Sequence, residues 1–215
     1  MTIKVGDRLP AGTLMEYFDV EKDGCSIGPN PVKVEDLTRG RKVVIFGLPG
    51  AFTPTCSAKH VPSYLANYDK LKAKGVDTIA CLSVNDAFVM GAWAHDQKTG
   101  DRIRMLGDGS ADYTKAIGLE LDLTARGMGM RCQRFSMLVD DGVVKTLNIE
   151  GPGKFEVSEQ MIDKANVLGG LGITHDGRGP DKPATRVSWF EAARFVNWRG
   201  KPEGGYIFFP EGRPR

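Results

Sequence analysis

Behind Lys42, residues Val43-Val44-Ile45-Phe46-Gly47-Leu48 form an apolar run that passes straight into Pro49-Gly50-Ala51-Phe52-Thr53-Pro54-Thr55-Cys56. A continuous, partly β-branched run with no polar alternation suits a strand buried on both faces of a sheet. Pro49 and Gly50 then stop the strand. Thr53 is a good helix N-cap, and Pro54 suits the first helical position, where an N–H is not needed. Cys56 therefore falls in the first turn of a helix, among unpaired amides.

The rest of the chain alternates in the same way. Ser57 to Lys74 reads as a helix, with Val61, Leu65, Tyr68 and Leu71 at helical spacing and Gly75 closing it. Val76 to Val84 is strand-like. Asp86 to Gln97 predicts a helix with Phe88, Val89, Ala92 and Trp93 available for a buried face, Ile103 to Leu106 a short strand, and Ala111 to Ile117 a short helix. Phe135 to Val139 and Val143 to Ile149 flank Asp140-Asp141-Gly142, a hairpin signal. Val157 to Leu168 predicts a last helix, and the N-terminal segment short strands. Strand, helix, strand, helix, strand and hairpin make an α/β pattern with a central mixed sheet flanked by helices, compatible with a thioredoxin-like fold.

Cys56 carries the chemistry. Amide donors and the positive end of a helix dipole favour thiolate over thiol, and a thiolate at neutral pH is a nucleophile. The other cysteines, Cys25, Cys81 and Cys132, form no Cys-x-x-Cys pair and have no histidine at metal spacing, so neither a zinc site nor a cofactor is expected. His60, one turn after Cys56, could act on it, but i to i+4 neighbours also occur without functional meaning, and His60 is left out of the mechanism. His95 and His175 read as solvent-facing. Gly127 and Gly129 read as a flexible turn, since an isolated Gly-x-Gly is weak support for a phosphate loop. A net charge of +2, from 29 basic and 27 acidic residues, argues against a nucleic-acid or anionic-membrane surface. The N-terminal residues lack an apolar signal region and no stretch reaches membrane-spanning length, so a soluble, cytoplasmic protein is expected.

Pro49, Thr53 and Cys56 form Pro-x-x-x-Thr-x-x-Cys, and here the chain resembles the peroxiredoxin family, thiol peroxidases that reduce hydroperoxides. Val5 to Pro10, Lys42 to Cys56, Gly75 to Met90 and Arg131 to Glu150 are similar to the type II, or peroxiredoxin-5-like, branch, over roughly residues 2 to 168. The resemblance implies a thioredoxin-like fold and reduction of hydrogen peroxide and small organic hydroperoxides by Cys56 through a sulfenic acid. It implies that Thr53 hydrogen-bonds thiolate or peroxide and that Pro49 shields the cysteine. Arg131 matches the family arginine that approaches the cysteine from a distant loop, with Arg134 as competing candidate. Cys81 stands where plant-type members carry a cysteine that can form an intramolecular disulfide, although a cysteine in an apolar strand is more often core filling. Cys132 is a second resolving candidate, and Cys25 an exposed or structural thiol. If none resolves, glutathione, glutaredoxin or thioredoxin would attack the sulfenate. The branch also implies a homodimer. Two rivals use the same thiol: a non-turnover redox sensor or chaperone, and a thiol-disulfide oxidoreductase, which the missing Cys-x-x-Cys disfavours.

The resemblance stops near Leu168. Residues 169–183 read as a linker rich in glycine and proline, and 169–215 as a C-terminal extension. Ser188-Trp189-Phe190-Glu191 fits a capping box, and Pro183 to Trp198 resembles a fragment of the formylglycine-generating-enzyme-like domain, too short to transfer activity. Its aromatics predict packing on the main domain or a second subunit.

Overall fold

In a computed structural model, which describes residues 1–21, 26–151 and 154, β3 (Lys42–Leu48) is the spine of a seven-stranded sheet. All these residues lie within one unit, Met1–Ala165. Every residue of β3 after Lys42 is buried. Its alternating side chains enter two separate cores, Val43 and Ile45 on one face and Val44, Phe46 and Leu48 on the other. That is why the run reads as uniformly apolar: neither face meets water.

The strands β1 (Thr13–Phe18), β2 (Gly28–Lys33), β4 (Thr78–Ser83), β5 (Arg104–Gly107), β8 (Phe135–Asp140) and β9 (Val143–Ile149) complete the sheet in the order β2-β1-β5-β4-β3-β8-β9. β3, β4 and β5 run parallel, and the remaining pairings are antiparallel. The sheet is thus mixed, as predicted. The hairpin turn falls at Asp141-Gly142, both with positive φ. Short helices α1 (Val34–Thr38), α2 (Val61–Ala66), α3 (Tyr68–Ala73), α4 (Ala87–Asp96) and α5 (Asp112–Ala116) connect the strands.

Three details differ from the sequence reading. The long helix predicted for Ser57 to Lys74 is interrupted. Cys56–His60 forms a π-helical turn in which the Val61 amide donates to the Cys56 carbonyl, and α2 and α3 are separated at Asn67. The widened turn lies directly before Pro62, whose ring would otherwise meet the carbonyl four residues back. At Asn67, φ is −107° and ψ 11°, and the side-chain amide donates to Ser63 O at 2.9 Å. On α4 the buried residues are Ala87, Met90, Gly91 and Trp93, whereas Phe88 is 63 % exposed and Ala92 also faces solvent. Finally, β6 (Glu120–Leu123) and β7 (Gly129–Cys132) form a small separate hairpin, with Leu121 opposite Arg131. The predicted helix Val157 to Leu168, Cys25 and the extension 169–215 lie outside the described residues.

Candidate active site

Parallel β3 and β4 end side by side at Leu48 and Ser83, and antiparallel β8 begins there, with Gly47 opposite Phe135. A β-carbon on Gly47 would lie 2.1 Å from Phe135 Cε1, so only glycine allows β8 to start this close. The register has a direct consequence: Arg134, the residue before Phe135, is delivered to the end of β3, where the chain turns toward Cys56.

Cys56 is fully buried in the π-helical turn. Thr53 stands at the N-cap position as predicted, and its carbonyl accepts from the Ser57 amide at 3.0 Å. Its hydroxyl does not cap the helix; it donates to Gly50 O at 2.9 Å. Ser57 accepts from the Trp93 indole at 3.1 Å, tying the turn to α4, and Phe52 lies against the same ring system with 6.3 Å between centroids. Pro49 and Thr53 are half-buried on the loop that leads to the sulfur.

The cation on the sulfur is Arg134. Its Nη2 donates to Cys56 Sγ at 3.4 Å, while Nη1 lies 2.8 Å from His60 Nδ1. Arg131 points elsewhere, donating through Nε to Met128 O at 2.8 Å and through Nη1 to Val84 O at 3.2 Å. The expectation that Arg131 approaches the cysteine is therefore corrected to Arg134. Arg131 belongs to β7 and takes its direction from that hairpin, whereas Arg134 is aimed by the β3–β8 register.

His60, set aside on the sequence, is fully buried beside Phe46 and Tyr64, with ring centroids 5.0 and 5.7 Å away. A guanidinium only donates, so His60 Nδ1 must accept, and the ring is neutral with its proton on Nε2. Burial first, and Arg134 second, hold its pKa well below the ordinary 6.5. The sign follows directly. As pH falls below about 6.5 the unfolded chain takes up a proton that the folded chain refuses, so stability drops by up to about 1.4 kcal/mol per pH unit from this group. Urea unfolding from pH 7.5 to 5 is expected to show this decline in the wild type and to lose that component in His60→Gln.

Cys81 lies in β4, hydrogen-bonded to strands on both sides, and shares a core with Cys56. Burial first, and the neighbouring Cys56 second, push its thiol up strongly. Cys132 is buried in the opposite core, its thiol also pushed up by burial. Cys56, Cys81 and Cys132 are all free thiols. Among the described residues, no three His, Cys, Asp or Glu side chains cluster to hold a metal ion.

A buried thiol at a helix start, with a guanidinium on its sulfur beyond the ends of parallel strands, is an arrangement suited to thiol-redox chemistry on a thioredoxin-like sheet. Residues 4–162 match the Redoxin family. The chain is 51 % identical over 166 residues to peroxiredoxin-2E-2, chloroplastic, of Oryza sativa subsp. japonica, a match spanning 75 % of this chain and 72 % of that relative. To peroxiredoxin-2B of Arabidopsis thaliana it is 47 % identical over 156 residues, 73 % of this chain and 93 % of the relative. Reduced Prx3 of Vibrio vulnificus in complex with hydrogen peroxide aligns with a TM-score of 0.70 and 48 % identity, over 76 % of this chain and 99 % of that structure. The chain belongs to the peroxiredoxin family and is a thiol-dependent peroxidase. Residues 163–215 lie beyond the family match.

Proposed function

We propose that Cys56 is the peroxide-reducing nucleophile, activated by Arg134, with Thr53 and Pro49 shaping the substrate's approach. The observation that carries this is the guanidinium of Arg134 on the sulfur of a fully buried cysteine. A buried thiolate is unfavourable unless paired and hydrogen-bonded, and Arg134 supplies both. The sulfur attacks the nearer peroxide oxygen as the O–O bond breaks. An S–O bond forms, and the leaving oxygen takes up a proton as water or an alcohol, so Cys56 becomes a sulfenic acid. Negative charge moves from sulfur to the leaving oxygen, and a guanidinium already in place favours that redistribution.

Thr53 has a defined part. Its hydroxyl proton is committed to Gly50 O, so its oxygen is left to accept, and the hydrogen on a hydroperoxide is the donor it suits. Pro49, beside Gly50, limits access without offering a competing donor. The sulfenic acid then condenses with a second thiol, losing water to form a disulfide. Cys81 is held protonated in a central strand, which supports an external thiol over the internal one. Glutathione with glutaredoxin, or thioredoxin, fits that role, with small hydroperoxides as substrates, a homodimer as the working form and the cytoplasm as its location.

Peptide mass spectrometry after one equivalent of hydrogen peroxide tests the assignment. A single oxygen, or a mixed disulfide when glutathione is present, is expected on Cys56. A Cys56–Cys81 disulfide formed first would show that β4 opens and that resolution is internal. Oxidation that spares Cys56 would sink the assignment. Sustained turnover with a thiol donor separates the peroxidase from a sensor that oxidises once and stalls.

A further inference from the structure

The Gly50–Ala51 peptide group is held from both sides. Its carbonyl accepts from the Thr53 hydroxyl at 2.9 Å, and its N–H donates to Asn85 Oδ1 at 3.0 Å. The same Asn85 oxygen accepts from the hydroxyl of Ser83, a fully buried side chain, at 2.8 Å. Both neighbours are donors, so the orientation of the Asn85 amide is fixed: the oxygen faces the loop. Gly50 itself has little room. A β-carbon there would lie 3.3 Å from Arg131 Nη1, 3.4 Å from Thr53 Cγ2 and 3.8 Å from Asn85 Oδ1.

We propose that Asn85, at the turn between β4 and α4, is a positioning residue for the peroxide reaction that acts on Thr53 through the shared Gly50–Ala51 peptide group. A peptide unit is planar, so fixing its N–H fixes its carbonyl. The carbonyl in turn fixes the rotamer and hydrogen direction of the Thr53 hydroxyl, and with them the lone pairs presented to the peroxide. Arg131 supports the same cradle by holding Val84 O, the carbonyl of the residue before Asn85. The arginine that does not reach the sulfur thereby braces the loop that carries Thr53. This inference rests on the acceptor role proposed for Thr53, and the experiment separates the two.

The rate constant of Cys56 oxidation by hydrogen peroxide is measured by rapid mixing for the wild type, Thr53→Val, Asn85→Ala and the double variant, with iodoacetamide alkylation of Cys56 as a parallel readout. Asn85→Ala is expected to slow oxidation on the order of tenfold to 10²-fold, the scale of a misplaced catalytic group. Its alkylation, which does not use Thr53, should stay within about threefold of the wild type, whereas general loosening of the fold would move both. The double variant should oxidise no more slowly than Thr53→Val alone. Asn85→Asp, which keeps the acceptor oxygen, should restore most of the rate. Multiplying effects in the double variant, or a wild-type rate in Asn85→Ala beside a slow Thr53→Val, overturns the proposal and leaves Thr53's role standing. A wild-type rate in Thr53→Val overturns both. Should Asn85→Ala fail to fold, Ser83→Ala removes the second donor to the Asn85 oxygen, together with a longer contact to Leu48 O at 3.5 Å. A several-fold loss that vanishes in the Thr53→Val background then supports the proposal, and a wild-type rate overturns it.

Discussion

Cys56→Ser is expected to reduce peroxide consumption to the uncatalysed background while leaving the protein folded. In the proposed reaction the Cys56 sulfur is the atom that is oxidised, and a serine hydroxyl is neither ionised at neutral pH nor oxidised by peroxide. Serine is nearly isosteric, and the Arg134 guanidinium that donates to the sulfur tolerates an oxygen acceptor. Peroxide decay in a coupled assay should therefore be flat, with circular dichroism unchanged. Cys81→Ser makes an informative contrast. It buries a hydroxyl in an apolar strand, at a cost of about 1–3 kcal/mol, so its melting temperature should fall. Even so, the first oxidation of Cys56 should proceed at close to the wild-type rate. If Cys56→Ser retained turnover, the site would have to be rebuilt around another thiol.

Arg134→Met should lower kcat/KM for hydrogen peroxide by about 10²–10³, the usual consequence of losing a donor aimed at developing charge. The side chain reaches Cys56 Sγ through Nη2 and His60 Nδ1 through Nη1, a fork spanning thiol and imidazole. Arg134→Lys is expected to recover only part of the rate, because an ammonium on a flexible stem cannot hold both partners in that geometry. Arg131→Met provides the control. Its guanidinium bonds the carbonyls of Val84 and Met128, and its loss should cost roughly tenfold less than that of Arg134. A reversal of that order, with Arg131→Met the more damaged, would return the catalytic role to Arg131.

The two arginines show where reading the chain works and where it stops. Both lie in Arg131-Cys132-Gln133-Arg134, and nothing in four consecutive residues says which will face a helix that begins some 75 positions earlier. The choice is made by pairing. Gly47 opposite Phe135 delivers Arg134 to the end of β3, while Leu121 opposite Arg131 keeps the other arginine on the hairpin. His60 follows the same rule. As a residue four positions after Cys56 it carries no signal that separates a catalytic neighbour from an idle one. Its meaning comes from Phe46 and Tyr64, which bury it, and from Arg134, which fixes its tautomer.

Asn85 was invisible for a related reason: an asparagine ahead of a helix reads as turn chemistry, and only the approach of β4 to the loop after β3 reveals the peptide it grips. Contacts within a strand or a turn leave a local pattern, and these could be read directly: the doubly buried β3, the loop that ends it, the cysteine in the first helical turn and the hairpin at Asp141-Gly142. Contacts between segments far apart leave no such pattern, because each residue's own propensity is satisfied in many pairings and only the assembled sheet selects one. The sequence by itself therefore determined the α/β class and the place of Cys56 at a helix start. The tertiary structure alone decided which arginine reaches the sulfur, which histidine that arginine also contacts and which amide holds the loop, since long-range strand register is what brings those groups together.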